Sequence, residues 1–256
     1  MKNLKYILFT TLVLLVSSCS KDEQDTTENG INRVPNQKQT GRSANDFLSA
    51  NNYSSLVVEI NYAQNFRPET QSIENLIQFL EARLNKPNGI TVVEKQISTQ
   101  TGSPFSIAEI NAIENSVRTK YNNVGVLTLH LLFLNGEYIE DNATSKTLGV
   151  AYRNTSCVLF ESAILALSNL LNAPSRVDLE TTVMAHEVCH LLGLVDLGSP
   201  MQNDHIDNDH GKHCQNSNCL MFWQIENSNV VNMMTSGNLP SLDANCILDL
   251  QANGGK

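Results

Sequence analysis

The chain has 256 residues, of which 41% are hydrophobic and 17% charged, a balance that fits a globular protein and excludes a disordered or fibrous one. Its 26 acidic and 17 basic residues give a net charge of −9, which argues against nucleic acid as a partner, since that would need clustered Lys and Arg. The length allows one large domain or two small ones.

Lys2 and Lys5 precede the apolar run YILFTTLVLLV (6–16), too short for a membrane span and suited to the hydrophobic core of a secretory signal. The run ends in Val16-Ser17-Ser18-Cys19, which resembles a bacterial lipobox. That resemblance implies a signal peptide over 1–18, membrane attachment through a lipidated Cys19, and an outer-membrane lipoprotein, periplasmic or surface-exposed. Residues 19–45 carry little beyond Ile31 and Val34 to bury, so their composition predicts a flexible tether, with the folded domain over 46–256. Its acidic start, SKDEQD, is similar to export signals of some surface lipoproteins.

The domain then reads as alternating strands and helices. Residues 54–63 are rich in β-branched side chains and predict a strand. Ile73, Leu76, Ile77, Leu80 and Leu84 recur at helical spacing over 70–85. A strand over 89–97 and a helix over 106–122 follow, the latter with Ser106 and Glu109 spaced as a capping box. VGVLTLHLLFL (124–134) is apolar throughout and belongs in the middle of a sheet. TLGVAYRN (147–154) alternates in polarity like an edge strand, and SCVLFES (156–162) is a further strand. A helix over 163–172 ends before Pro174, Asp178 is placed to cap a helix over 179–192, and the chain closes with a helix after Pro240. The order predicts one α/β domain, a mixed sheet with packed helices.

The stretch MAHEVCHLLGLVD (184–196) carries the chemistry. On a helix His186 and His190 point the same way, one turn apart, and can share one metal ion. Glu187 lies roughly 100° around from His186, where it reaches a metal-bound water rather than the metal itself. Two histidines and one carboxylate in this order suit hydrolysis by a zinc-activated water, with Glu187 as general base. Val183, Met184, Val188, Leu191 and Leu192 make the helix largely apolar, and imidazoles buried among them need partners. A catalytic zinc also needs a third protein ligand.

HEVCHLLG resembles the metzincin metalloprotease signature HExxHxxGxxH, in which the glycine turns the chain so that a residue beyond the helix returns to the metal. The third histidine position of that signature holds Asp196 here. Further on, His213, Cys214, Cys219 and Met221 form an HCx4CxM pattern similar to that of archaemetzincins, whose third zinc histidine directly precedes the first cysteine. Here 196–212 would be an insertion returning His213 to the metal. The resemblance implies a metzincin-like zincin fold, zinc as cofactor, a protein or peptide substrate, His186, His190 and His213 as ligands, and Met221 as the methionine of the turn beneath the metal, with Met233 and Met234 as a competing choice. Asp196 is the second choice for third ligand, then His205 or His210. A gluzincin-type site using Glu226 leaves Gly193 unexplained.

The chain lacks the later CxxC pair of archaemetzincins, so their four-cysteine zinc site does not carry over. Of six cysteines, Cys19 leaves Cys157, Cys189, Cys214, Cys219 and Cys246 in the domain. Cys214 and Cys219 could form a disulfide bracing the His213 loop, and Cys189, inside the histidine helix, is the expected odd thiol. The insertion, with Asp204, Asp207 and Asp209 beside its two histidines, either holds a further cation or is a solvated acidic loop. Two functions follow: a lipid-anchored zinc endopeptidase, or a surface binding lipoprotein whose metal is structural.

Overall fold

A computed structural model describes residues 27–28, 31–234 and 239–256. The signal peptide, the lipobox and Cys19 lie outside the described residues. Two short strands, β1 (Thr27–Glu28) and β2 (Ile31–Asn32), pair antiparallel ahead of the domain.

The domain is a mixed α/β structure on a five-stranded sheet ordered β4-β3-β5-β7-β6. Its strands are β3 (Tyr53–Ala63), β4 (Ile90–Ile97), β5 (Gly125–Leu134), β6 (Gly149–Arg153) and β7 (Ser156–Phe160). Only β6 runs antiparallel to its neighbour. The apolar β5 is the central strand and the more polar β6 an edge, as their patterns predict.

The two-residue period of β5 divides the core. Leu127, Leu129, Leu131 and Phe133 enter the larger cluster with Leu76 and Leu80 of α2 (Thr70–Glu81) and Val183, Met184 and Val188 of α5 (Arg176–Leu191). Leu132 and Leu134 face the other way, toward Ile110 of α3 (Ile107–Val117) and toward Phe105, which precedes that helix. Ser106 and Glu109 form the predicted capping box. The remaining helices are α1 (Ala44–Leu48), α4 (Glu161–Ser168), α6 (Val230–Met234) and α7 (Ala244–Ala252), the last capped by the Asp243 side chain.

Composition misplaces where folding begins. Asn36 is fully buried, its amide donating to Thr128 Oγ1 at 3.1 Å and Thr155 Oγ1 at 3.0 Å. Asn154 donates to the Pro35 carbonyl and Ser43 Oγ, both at 2.8 Å. The folded part therefore starts near Val34 rather than Asp46. A count of apolar residues misses a segment held by satisfied polar groups. Beneath it, Glu114 pairs with Arg118 at 2.7 Å and Arg153 at 2.8 Å, so the buried charges here are compensated.

Candidate metal centre

Helix α5 begins earlier than Asp178 suggests. Pro174 ends the preceding turn and Ser175 is the cap: its Oγ accepts from the Asp178 backbone N–H at 3.1 Å and donates to Asp178 Oδ2 at 2.7 Å. Arg176, in the first turn, contacts Glu180 at 2.7 Å, Glu161 at 2.9 Å and Glu69 at 2.7 Å, which ties the helix start to α4 and to the start of α2. From Thr182 to Leu191 every residue is buried, so the histidine-bearing half of the helix is held on all sides.

Gly193 ends the helix in the left-handed region at φ 80. Its N–H reaches the His190 carbonyl at 3.1 Å, and its own carbonyl accepts from Gly198 at 3.1 Å and Ser199 at 2.9 Å. A Cβ on Gly193 would collide with the Ser199 backbone nitrogen, so the turn requires glycine. Beyond it the chain loops out and returns through a two-stranded contact in which Asp207 N–H donates to the His213 carbonyl at 2.8 Å and Gln215 N–H to the His205 carbonyl at 2.9 Å.

That return brings His213 to the helix. Ring centroids lie 4.8 Å apart for His186 and His190, 5.3 Å for His186 and His213, and 5.2 Å for His190 and His213. His186 Nδ1 donates to the Leu220 carbonyl at 2.7 Å, and His213 Nδ1 to the His210 carbonyl at 2.7 Å. These bonds fix the proton on Nδ1 and leave Nε2 as the free lone pair. His186 Nε2 and His190 Nε2 are 3.2 Å apart. An edge of a tetrahedron with zinc–nitrogen bonds of about 2.0–2.1 Å is about 3.3 Å, so the pair has the spacing of two ligands on one ion. Burial, then the charge of His213, pushes His186 down to about 4, and burial likewise lowers His190, so both are neutral and available as ligands.

Glu187 is fully buried, and neither carboxylate oxygen has a hydrogen-bond partner among the described residues. Gly149 of β6 makes room for it: a Cβ there would stand 2.7 Å from Glu187 Cγ. Burial, reinforced by the Glu226 charge, raises its carboxyl well above the usual range. Such an acceptor without a donor needs a water or a cation beside it; His213 Nε2 also lacks a hydrogen-bond partner among the described residues, and His186 and His190 turn Nε2 toward each other, a contact a shared cation would replace. The residues present therefore fit a zinc ion with a bound water.

Glu226 is also here. Its Oε2 lies 3.4 Å from His213 Nε2, and one oxygen falls within 4.8 Å of ligand atoms of all three histidines. Burial opposes its charge, but the contact with His213 outweighs this and lowers its pKa. The sequence pattern offers Glu226 only as an alternative to the Gly193 turn, whereas the fold accommodates both. Glu187, His190, His213 and Glu226 line a cleft of about 430 Å³, with Val150 and Ala151 of β6 and the Trp223 ring on its walls.

The other proposed ligands go elsewhere. Asp196 is exposed, at φ 68, and lines an adjoining hollow with Thr40 and Arg42 rather than the cleft itself. His210 stacks on Trp223 with centroids 4.0 Å apart and contacts Asp207 at 2.9 Å. Asp204, Asp207 and Asp209 join no metal-ligand cluster among the described residues. Met221 is fully buried and its carbonyl accepts from Cys214 N–H at 2.7 Å, while Met233 is half-buried and Met234 buried on α6. Cys189 is a free buried thiol, and so are the other four described cysteines, which corrects the expected Cys214–Cys219 disulfide. Cys214 and Cys219 instead turn inward toward Cys246 and His205, a grouping hidden from the sequence because its members come from three separate segments.

No family model and no curated protein matches the chain. Among solved structures, it is similar to an archaemetzincin from Methanopyrus kandleri, at 14% identity and TM-score 0.48, covering 78% of this chain and 95% of that one. It is similar to a zinc-dependent peptidase from Methanocorpusculum labreanum, at 12% identity and TM-score 0.48, covering 75% and 99%. Metalloproteinase-II from Bacteroides fragilis aligns at 14% identity and TM-score 0.44, covering 80% of this chain and 55% of that one.

Proposed function

We propose that this chain is a zinc-dependent endopeptidase, with His186, His190 and His213 as ligands and Glu187 as general base. The observation that carries the reading is the convergence of three buried imidazoles, two with Nε2 atoms 3.2 Å apart, beside a buried carboxylate at the floor of a cleft. Zinc, when bound, would polarise the scissile carbonyl and acidify a water. Glu187 would then act as the base that takes a proton from the attacking water and returns it to the leaving amine. The Leu220 and His210 carbonyls keep two imidazoles in the ligand tautomer throughout. An extended peptide fits the cleft alongside the β6 edge, with Val150 and Ala151 as one wall.

The test is cleavage of a denatured protein mixture by the purified chain. Hydrolysis is expected to vanish on chelation and to return with one added equivalent of zinc per site; hydrolysis that survives complete metal removal contradicts the reading.

Glu226 supports a second reading. Three histidines and a glutamate would close the coordination sphere, and closed sites are structural. A binding protein with such a metal would hold zinc without turnover in the same assay. The buried Glu187 favours the hydrolase, because a closed structural site has no use for a base beside it.

We further propose that residues 1–18 are a signal peptide and that lipidation of Cys19 anchors the enzyme to the outer membrane. Labelling of the chain by a radioactive fatty acid, abolished in Cys19→Ser, is the expected result; an unlabelled wild-type chain contradicts it.

A further inference from the structure

The insertion and the end of the chain meet in a second cluster of metal-binding side chains, away from the proposed active site. His205 Nδ1 lies 3.4 Å from Cys214 Sγ and 3.9 Å from Cys246 Sγ, and Cys246 Sγ is 3.6 Å from Cys219 Sγ. All four residues are buried. We propose that His205, Cys214, Cys219 and Cys246 form a tetrahedral site for a thiophilic divalent cation of the zinc class.

The distances have the right size. For zinc–sulfur bonds of about 2.3 Å and zinc–nitrogen bonds of about 2.0 Å, tetrahedral edges run from about 3.5 to 3.8 Å. A disulfide needs sulfurs about 2.05 Å apart and could join only two of three thiols, leaving a third buried against the bridge. None of the three is bridged.

The surroundings are those of thiolates and a ligating imidazole. His205 Nε2 contacts Asp249 Oδ2 at 2.8 Å, and Asp249 is itself fully buried on α7. A carboxylate there holds the proton on Nε2 and turns the Nδ1 lone pair toward the sulfurs, as metal-bound histidines require. Cys219 Sγ accepts backbone N–H groups of Met221 and Asp243, each at 3.4 Å, which stabilises a thiolate. Cys246 sits in the first turn of α7, so that the helix start presents its sulfur to the cluster.

Asp243 lies close enough to compete as a ligand. Its Oδ1, however, accepts the Cys246 N–H at 2.9 Å to cap α7, and its Oδ2 accepts from the Asn216 amide and from Cys214 Sγ, each at 3.2 Å. His205, Cys214, Asp243 and Cys246 have ligand atoms all within 4.8 Å of one another; cap and loop already use the Asp243 carboxylate, whereas Cys219 Sγ stands 3.6 Å from Cys246 Sγ, so Cys219 is assigned as the fourth ligand of the proposed site. Loading the site sends whatever thiol protons remain on the three cysteines to solvent.

The insertion thereby acquires a structural role, because it carries His205 to a site whose other ligands flank the active-site loop. Cys214 directly follows His213, and Cys219 directly precedes Leu220, the carbonyl partner of His186. A metal here holds both attachments of the catalytic centre from one point.

The test uses the purified full chain. Wild type is expected to hold two metal equivalents by elemental analysis, with a sulfur shell at about 2.3 Å in zinc X-ray absorption, which needs no variant. Cobalt(II) loading should give thiolate-to-metal charge transfer in the near ultraviolet. His205→Ala and Cys246→Ser are each expected to lose one of the two equivalents, whereas His186→Ala loses the other and keeps the sulfur shell. Metal-replete wild type with no sulfur ligands, or with a Cys219–Cys246 disulfide found by mass spectrometry, overturns the proposal whatever the state of the histidine site.

Discussion

Glu187→Ala is expected to retain its zinc at the histidine site and to lose about 10²- to 10⁴-fold in kcat, the range for removing a general acid–base. The zinc should stay because Glu187 offers no atom to the cluster of His186, His190, His213 and Glu226. The fold should stay because its carboxylate oxygens are buried without hydrogen-bond partners, so truncation removes a desolvated polar group rather than a bond. KM should change little, since the carboxylate acts on the water rather than holding the peptide. Measuring kcat, KM and zinc content together separates this outcome from others. A variant that cleaves at the wild-type rate contradicts the role of Glu187, and one that loses zinc makes it a ligand instead.

His213→Ala is expected to weaken zinc binding at the histidine site by more than the 10- to 100-fold that loss of a supporting hydrogen bond costs, because a ligand itself is removed. Hydrolysis should fall with occupancy and recover in part at high zinc, where Glu226 can substitute from 3.4 Å away. Asp196→Ala, at an exposed position in the adjoining hollow, should bind zinc like wild type. Competition titrations with a chromophoric chelator read both constants. Unchanged affinity in His213→Ala, with loss in Asp196→Ala, would reverse the assignment.

Much of the framework is legible in the sequence because it rests on local rules. The apolar run of β5, the polar alternation of β6, the Ser106–Glu109 capping box and the helix that ends at Gly193 all follow from periodicity or capping chemistry over a few residues. Departures occur where two local signals compete or where contacts are distant. Ser175 and Asp178 are both sound caps, and the chain uses them as a pair, with Ser175 at the boundary. Asn36 and Asn154 order an apolar-poor segment through hydrogen bonds that hydropathy does not register.

The site shows the same division. His186, Glu187 and His190 are neighbours on one helix, so their geometry is written in their spacing. His213 competes on paper with Asp196, His205 and His210, and only the path of the loop after Gly193 separates them. That path depends on Ser199 and Gly198 bonding back to Gly193 and on the contact of 205–207 with 213–215. Glu226 and the grouping of His205 with three cysteines are tertiary in origin, and pairing cysteines by proximity in sequence misses Cys246, whose Sγ lies 3.6 Å from Cys219 Sγ.

The most direct test is an anomalous-scattering crystal structure of the zinc-loaded protein. A zinc peak is expected within about 2.2 Å of Nε2 of His186, His190 and His213, with Glu187 within hydrogen-bond reach of a zinc-bound water. A zinc held by Asp196 in place of His213, or one closed off by Glu226 with no room for water, would contradict the hydrolytic site described above.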